Sequence, residues 1–226
     1  MTSLMKDWLF PVKCIGCGKE DEKELLCQRC FLEIKINQTL FCGKCRARLP
    51  ENKKICHKDF PYILGMATDY DERRVSELIS GFKFKFWEEA AKPLGKVLIE
   101  YARNLPLKRE GSLIVPIPLS KQREKERGFN QSQILAEILA KGLGLRLDST
   151  SLIRVRNAKP QSEMDFYKRL ENVKGVFTTK NSNLLKNQKI ILVDDVVTSG
   201  ATFLEAATVL KEAGAKNIIA VAVAGA

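Results

Sequence analysis

After Pro61, apolar residues recur in two different patterns along the chain. Short apolar runs, rich in β-branched residues, have the length of buried strands, and longer stretches repeat apolar residues every three or four positions, as amphipathic helices do. The short runs predict strands at residues 62–68, 113–118, 175–179, 190–193 and 218–224. The longer stretches predict helices at residues 72–82, 88–104 (or from Pro93), 129–142 and 202–213, the last ended by Gly214.

This order of elements predicts the fold class. Neighbouring parallel strands need a crossover connection, and the helices between the predicted strands provide it. We therefore predict an α/β fold with a parallel, doubly wound sheet over residues 61–226. Ligands of such sheets bind outside the carboxyl ends of the strands.

All seven cysteines precede residue 57, which sets residues 1–60 apart as a small, cysteine-rich domain. Six of them form Cys-x2-Cys pairs, and the odd total together with this spacing argues against disulfides. Two such pairs can turn four thiolates toward one ion in a tetrahedral zinc site. Because the domain has few apolar residues for a core, we expect it to fold through structural Zn2+. The first predicted site consists of Cys14, Cys17, Cys27 and Cys30.

A second zinc site is predicted from Cys42, Cys45 and Cys56, with its fourth ligand open. Asp59 stands at the two-residue spacing from Cys56 where a pair would place its second member, so we favour it. His57, the chain's one histidine, directly follows Cys56, which is an awkward geometry for binding the same ion. The competing interpretation is a degraded pair with free cysteines.

The most specific motif follows the predicted strand at residues 190–193. Asp194 and Asp195 end that strand, and a turn of Thr, Ser and Gly residues leads into the next predicted helix. The backbone N–H groups of such a turn and of a helix N-terminus bind phosphate, whereas the two carboxylates accept hydrogen bonds from ligand hydroxyls. A 5-phosphorylated ribose satisfies both halves, and a plain helix cap is the simpler alternative. The predicted site comprises Asp194, Asp195, Val197, Thr198, Ser199, Gly200, Ala201 and Thr202.

This stretch resembles the signature of type I phosphoribosyltransferases, and further motifs narrow the resemblance to the ComF family. In chain order they are the first two cysteine pairs and residues 115–118, 127–131, 161–162 and 169–173. The resemblance implies a type I phosphoribosyltransferase-like fold with a pocket for 5-phosphoribosyl 1-pyrophosphate (PRPP), accompanied by Mg2+ on its pyrophosphate oxygens and ribose hydroxyls. It also implies that the acidic pair holds the ribose hydroxyls and that the following loop holds the 5-phosphate.

The resemblance implies functions for two more polar segments. Residues 115–131 begin in a predicted strand and continue into a stretch that is rich in cations. In phosphoribosyltransferases the loop after the first core strand holds pyrophosphate. The resemblance therefore implies that Ser120 and Lys121 are pyrophosphate ligands. Residues 159–175 suit a flap over the ligand. Taken alone, each segment fits a solvated loop equally well. Asp59 departs from the longer-fingered members of the family, in which a cysteine is usual.

The chain carries a net charge of +11, spread along its length, which favours a polyanionic partner such as nucleic acid. Residues 82–87 alternate aromatic and cationic side chains, a combination with which single-strand binders stack bases and contact the backbone. The same stretch can form an amphipathic edge strand, and we favour core burial for most of its aromatic rings. The predicted DNA contacts are Lys83, Lys85, Arg123 and Lys125.

Two functions fit these features. The ComF resemblance implies a protein that binds PRPP and single-stranded DNA during DNA uptake in natural transformation, with competence-machinery proteins as further partners, and we favour this binding function. The alternative is an active phosphoribosyltransferase, which transfers phosphoribose from PRPP to a nucleobase or other acceptor and releases pyrophosphate, with Lys121 stabilising the departing group. No proton acceptor for this transfer is recognisable. No secretory or membrane-spanning segment is recognisable either, which predicts a cytoplasmic protein without membrane insertion.

Overall fold

The computed structural model describes residues 12–20, 24–49, 56–85, 87–105, 111–156 and 173–226. Three of the sequence-based assignments lie wholly or mostly outside the described residues. They concern the N-terminal residues 1–11, Phe86, and the predicted flap with its motif residues 161–162 and 169–172.

Strands and helices alternate through the larger part of the described chain. Its strands are β1 Leu40–Cys42, β2 Arg48–Leu49, β3 Ile63–Asp69, β4 Leu113–Pro116, β5 Arg146–Leu147, β6 Leu152–Arg154, β7 Phe177–Thr179, β8 Lys189–Val197 and β9 Asn217–Gly225. Its α-helices are α1 Gln28–Leu32, α2 Arg73–Phe84, α3 Ala91–Asn104, α4 Lys121–Arg127, α5 Gln131–Leu143, α6 Ser182–Leu185 and α7 Ala201–Glu212, with a 3-10 turn at Glu88–Ala90 before α3.

The central sheet has the strand order β2-β1-β3-β9-β8-β4-β5. Strands β3, β9, β8, β4 and β5 run parallel, which confirms the predicted α/β class. Strand β8 lies between β9 and β4, and it continues to Val197 because its ladder with β9 extends past the acidic pair to the pairs Val196↔Ala224 and Val197↔Gly225. The predicted strand at residues 190–193 is therefore the middle of a longer strand.

Helices cover both faces of this sheet. Helices α2, α3 and α5 pack on one face, where Leu78, Leu98 and Leu135 are fully buried in the same cluster as Val193 of β8. Helix α7 and the antiparallel β6–β7 hairpin cover the other face, where Phe203 and Phe177 join Leu192. The core is thus divided by the sheet, as a doubly wound fold requires. In the ranges that the structure describes, no helix is long and apolar enough to cross a membrane.

The cysteine-rich segment is joined to this sheet rather than separate from it. Its β1–β2 hairpin extends the sheet antiparallel to β3, with the pairs Phe41↔Leu64 and Cys42↔Ile63. Cys14 and Cys30 are buried in the cluster that contains Leu78 of α2. The sequence composition changes near residue 60, but hydrogen bonds and apolar contacts join the residues before this position to those after it.

Two local expectations were wrong. The stretch after Pro118, expected to be a loop, contains the helix α4, whose seven residues are all polar and so lack the apolar stripe by which a helix is recognised. The aromatic and cationic stretch does not form an edge strand. Instead, α2 extends to Phe84, with Phe82 buried and Phe84 exposed.

Candidate functional site

The acidic pair lies at the carboxyl end of β8, and both carboxylates have partners from other elements. Asp194 Oδ1 accepts hydrogen bonds from Ser132 Oγ at 2.7 Å and from its neighbour's backbone N–H at 2.9 Å. Asp195 Oδ1 lies 2.9 Å from Lys83 Nζ, and the side chains of this ion pair are 7% and 21% exposed, respectively. The pair is therefore held in place by α5 on one side and by the end of α2 on the other.

Two carboxylates and one ammonium group lie close together at the carboxyl end of β8. Burial raises the pKa of Asp194 to about 6, and the adjacent carboxylate of Asp195 acts in the same direction. The hydrogen bond from Ser132 and the charge of Lys83 act against this rise. At neutral pH the ionised Asp194 consequently costs folding free energy that a ligand with hydroxyl donors can recover.

We expect Asp194→Asn to stabilise the ligand-free protein at pH 7.5. Because the pKa of Asp194 is higher in the folded chain than its ordinary value of 3.8, the stability that this group contributes falls as pH rises from about 4 to about 6. The amide removes this cost, and its oxygen can still accept both hydrogen bonds, so the gain should be about 1–3 kcal/mol. Urea unfolding at pH 7.5 and at pH 4 measures it; an equal gain at both pH values would contradict the assignment.

The loop after β8 has the geometry of an anion site. Gly200 adopts the left-handed conformation (φ 80°) immediately before α7, and Ser199 Oγ accepts from the N–H of Ala201 at 3.3 Å. The following N–H groups of the first helical turn point out of the helix N-terminus, where phosphate binds favourably. A Cβ at Gly200 would lie 2.9 Å from Tyr62 Oη, so position 200 requires glycine for both its φ angle and its close packing.

The motif at residues 127–131 fixes the start of α5 beside the acidic pair. Gly128 ends α4 in the left-handed conformation, and the Phe129 ring stacks on Phe82 of α2 at 5.2 Å between centroids. Asn130 caps α5 and donates to the carbonyl of Ile117 at 3.1 Å. These contacts fix the start of α5 and so position Ser132 against Asp194. The motif therefore holds Ser132 in the position from which it donates to Asp194.

Ser120 and Lys121 lie at the carboxyl end of the neighbouring strand β4. Ser120 is buried and caps α4, its Oγ accepting from the N–H of Arg123 at 3.2 Å, while Lys121 is exposed. Both line a cavity of about 670 Å3, and Arg154, Arg156 and Lys180 line it as well. The acidic pair does not line this cavity; α5 connects the two places through Asn130 and Gln133 on the cavity wall and Ser132 on Asp194.

The first cysteine cluster has the dimensions of a zinc site. The Sγ atoms of Cys14, Cys17, Cys27 and Cys30 all lie within 4.8 Å of one another. Sulfur atoms on a tetrahedral zinc ion are about 3.8 Å apart, and those of Cys17 and Cys27 lie 3.9 Å apart. Burial raises the pKa of the Cys14 thiol, but backbone N–H donors, first that of Cys27, outweigh burial and lower it to about 6. A thiolate is the form that binds zinc.

The second cluster contains Cys42, Cys45, Cys56 and His57, and its fourth group is His57 in place of the favoured Asp59. His57 Nδ1 lies 3.4 Å from Cys42 Sγ, and the Cys45 and Cys56 Sγ atoms lie 3.5 Å apart. Adjacency to Cys56 does not prevent this arrangement, because the imidazole reaches the cluster through Nδ1. The group is a three-sulfur, one-nitrogen donor set suited to zinc.

The structure thus brings the predicted carboxylates and phosphate loop together, and it adds two residues that sequence reasoning missed. Ser132 and Lys83 approach the acidic pair through tertiary packing, and no local motif marks either of them. Lys83, which is also a predicted DNA contact, forms an ion pair with Asp195. Lys85 lies over the ring of Trp87, 4.7 Å from its centroid.

Comparisons with known proteins agree with this arrangement. Residues 130–226 match the phosphoribosyl transferase domain family, and residues 5–58 match the double zinc ribbon domain family. The chain is 47% identical over 202 residues to competence protein ComFC of Bacillus subtilis, covering 89% of this chain and 72% of that protein. It is 30% identical over 209 residues to DNA utilization protein YhgH of Salmonella typhimurium, covering 91% and 86%.

Among solved structures, adenine phosphoribosyltransferase of Leishmania tarentolae matches 74% of this chain and 77% of its own, with a TM-score of 0.40 and 16% identity. The sequence identity to the competence and DNA utilization proteins is higher. It extends over both the cysteine-rich and the α/β parts of the chain. By this identity the chain belongs to the ComF family, with a double zinc ribbon followed by a phosphoribosyltransferase domain.

Proposed function

We propose that the protein binds PRPP at the carboxyl edge of its sheet and acts in DNA uptake. The main support for PRPP binding is that one segment presents both hydrogen-bond acceptors and a helix N-terminus. Asp194 and Asp195 present acceptors, and six residues later α7 presents its N-terminal N–H groups. A ligand that fills both halves has a phosphate at one end and vicinal hydroxyls near it, which describes a 5-phosphorylated ribose.

The present partners of the carboxylates support hydroxyl binding. Ser132 Oγ and Lys83 Nζ already occupy positions from which a donor reaches Asp194 and Asp195. The ribose hydroxyls would donate to the same carboxylates and share Asp195 with the lysine. Mg2+ would arrive with PRPP as the counter-ion of its pyrophosphate, which lowers the charge that the site must neutralise.

Ser120 and Lys121 are the proposed pyrophosphate ligands. They follow β4, which is paired directly with β8 through Val115↔Leu192 and Pro116↔Val193, so both strand ends open on one edge. Lys121 is exposed at the first position of α4 and can offer its ammonium group to an anion. In the proposed complex the ribose thus spans from the acidic pair toward this second strand end.

The DNA part of the proposal rests on the relatives and on charge. Two relatives are named competence protein ComFC and DNA utilization protein. The net charge of +11 is what a protein that handles a polyanion needs. We therefore assign to this chain a role in competence, with single-stranded DNA as its macromolecular ligand and PRPP as the small molecule that its pocket recognises.

One feature favours the transferase as the second candidate. Phe84 is 69% exposed at the end of α2, next to Lys83, and the guanidinium of Arg127 lies 5.5 Å from its ring centroid. An exposed ring that directly follows the lysine paired with Asp195 offers a surface on which an acceptor base can stack. His57, the chain's one histidine, belongs to the second cysteine cluster, so it does not provide a general base for the transfer.

Calorimetric titration with PRPP in Mg2+, followed by a pyrophosphate-release assay with each nucleobase, tests both candidates. We expect saturable binding at one site without pyrophosphate release above the base-free rate. Release with one base, lost in Phe84→Ala but kept in Leu32→Ala, would favour the transferase; Leu32 is a control of similar exposure (71%). Absence of PRPP binding would contradict the proposal.

A further inference from the structure

The second cysteine cluster lies next to the phosphate loop, residues 198–202. Cys42 of this cluster pairs with the first residue of β3. Gly43 packs closely on Tyr62, since a Cβ at Gly43 would lie 2.5 Å from the carbonyl oxygen of the tyrosine. Tyr62 is 4% exposed, and its Oη donates to the carbonyl of Gly200 at 3.4 Å. One buried side chain therefore joins the turn of the cluster to the residue that precedes α7.

A second connection runs through Arg46, which belongs to the same turn as Cys42 and Cys45. The N–H of Arg46 donates to the carbonyl of Cys42 at 2.9 Å, and its Nη1 donates to the carbonyl of Ala226 at 2.7 Å. The N–H of Ala226 in turn donates to the carbonyl of Val197 at 2.9 Å. Val197 is the last residue of β8, so this path reaches the phosphate loop from the strand before it.

The hydrogen bond from Tyr62 acts on a peptide group at the proposed phosphate site. The carbonyl of Gly200 and the N–H of Ala201 belong to one planar unit, so a bond that holds the carbonyl also sets the direction of the N–H. The same carbonyl accepts the N–H of Leu204 at 2.9 Å, the first hydrogen bond of α7. Glycine has more backbone freedom than other residues, so an added bond at position 200 restricts the loop strongly.

The apolar residues around the two cysteine clusters pack on opposite faces of the sheet. Phe41, next to the second cluster, and Tyr62 are buried together with Phe203 of α7. The ring centroids of Tyr62 and Phe203 lie 6.0 Å apart. Cys14 and Cys30 of the first cluster are instead buried with α2, α3 and α5 on the other face. The first cluster is therefore an internal control for effects of the second on α7.

The turn that carries Gly43 and Arg46 depends on the second cluster for its order. Its strands β1 and β2 contain only three and two residues, and hairpins of this size are marginally stable by themselves. Coordination of one ion by the three thiols and the imidazole would join this turn to residues 56–57 and supply the missing folding free energy. The contacts to Tyr62 and Ala226 would loosen when the cluster is empty.

We infer that zinc occupancy of the second cysteine cluster sets the affinity of the phosphate loop for PRPP, with Tyr62 and Arg46 as positioning residues. This inference rests on the proposed binding of PRPP and adds a form of regulation to it, because protein without this zinc would bind the ligand more weakly. Coupling between two binding sites is reciprocal, so PRPP would raise the zinc affinity of the second cluster by the same factor.

Calorimetric titration of Mg2+-PRPP into two matched variants tests the inference. Cys45→Ser with Cys56→Ser removes two thiols from the second cluster, and Cys17→Ser with Cys27→Ser removes two from the first. Each variant should lose one zinc equivalent. The second-cluster variant should bind PRPP at least fivefold more weakly than wild type, and the first-cluster variant should stay within twofold. Equal PRPP affinity in the two variants would overturn the inference.

Tyr62→Phe tests the positioning role with both clusters intact. It should bind PRPP about threefold more weakly and Mg2+-pyrophosphate as wild type does, because Tyr62 contacts the phosphate loop and not the residues after β4. The matched control Tyr101→Phe removes another buried hydroxyl, which donates to the carbonyl of Thr39 at 2.7 Å, and should leave PRPP affinity unchanged. Equal effects of the two substitutions on PRPP affinity would contradict the positioning role.

Competition for zinc on the wild-type protein avoids any effect of substitution on folding. Against a zinc chelator, saturating Mg2+-PRPP should raise the affinity for one zinc equivalent at least fivefold and leave the other unchanged. The unchanged equivalent also shows that the ligand itself does not bind the released zinc. Identical zinc release with and without PRPP would overturn the inference, while saturable PRPP binding would still support the proposed function. Wild-type protein that binds no PRPP would contradict both.

Discussion

Asp194→Asn combined with Asp195→Asn is expected to weaken binding of Mg2+-PRPP by at least tenfold. Each carboxylate would accept charge-assisted hydrogen bonds from ribose hydroxyls, and losing such a bond costs roughly 1.5–3 kcal/mol. An amide keeps the shape of the side chain and one acceptor oxygen but carries no charge. The decrease in PRPP affinity therefore measures how much the negative charge of the carboxylates contributes to binding. Calorimetry at fixed Mg2+ concentration measures it.

The control for this pair is Glu137→Gln with Glu212→Gln, which removes two negative charges from exposed positions on α5 and α7. It should leave PRPP affinity within twofold of wild type, because exposed distant charges are screened. The acidic-pair variant should remain folded, because replacing Asp194 removes the folding cost that its raised pKa imposes at neutral pH. Equal PRPP affinity in wild type and the acidic-pair variant would mean that the carboxylates do not contact the ribose.

Removal of zinc is expected to unfold the cysteine-rich segment while the parallel sheet stays folded. Thiolate coordination supplies most of the folding free energy of such segments, and the described part of this one buries few large apolar side chains, among them Leu26, Ile34 and Phe41. The central strands β9, β8 and β4 keep their own helices and core on both faces. Elemental analysis should give about two zinc equivalents, and chelation should abolish amide protection within the cysteine-rich residues up to residue 60 and not in the rest of the chain.

The second cluster provides a decisive pair of variants. His57→Asn should lose one zinc equivalent, whereas Asp59→Asn should retain both, since His57 Nδ1 and not Asp59 joins the three thiols. Less than about half an equivalent of zinc in protein with reduced cysteines would contradict the metal assignment altogether. The reverse result for the two variants would restore Asp59 as the ligand.

Much of the fold could be predicted because its signals are local. The apolar run before Asp194 and the turn after Asp195 mark a buried strand and a helix start by composition alone, and β8 and α7 lie there. The cysteine spacing likewise predicted which thiols meet. In both cases the chemistry of neighbouring residues determines the structure, so one sequence suffices.

The rest depends on contacts that no local pattern encodes. Lys83 belongs to a stretch whose composition resembles a DNA-binding strand, but in the fold its neighbour Phe82 packs on Phe129 and its ammonium group pairs with Asp195. Ser132 is an ordinary helix-start residue until α5 places it on Asp194. The excess of cations beside β4 comes from segments about thirty residues apart, α4 and the hairpin starting at Leu152, which meet only in the fold.

The central claim is that a phosphoribosyl ligand lies between the acidic pair and the start of α7. Backbone amide NMR of isotopically labelled protein, titrated with Mg2+-PRPP, tests this claim most directly because it reports where the ligand binds. The account predicts that the largest chemical-shift changes fall on Asp194, Asp195 and residues 199–203. Saturable binding that leaves these amides unchanged, with the largest shifts elsewhere in the chain, would contradict it.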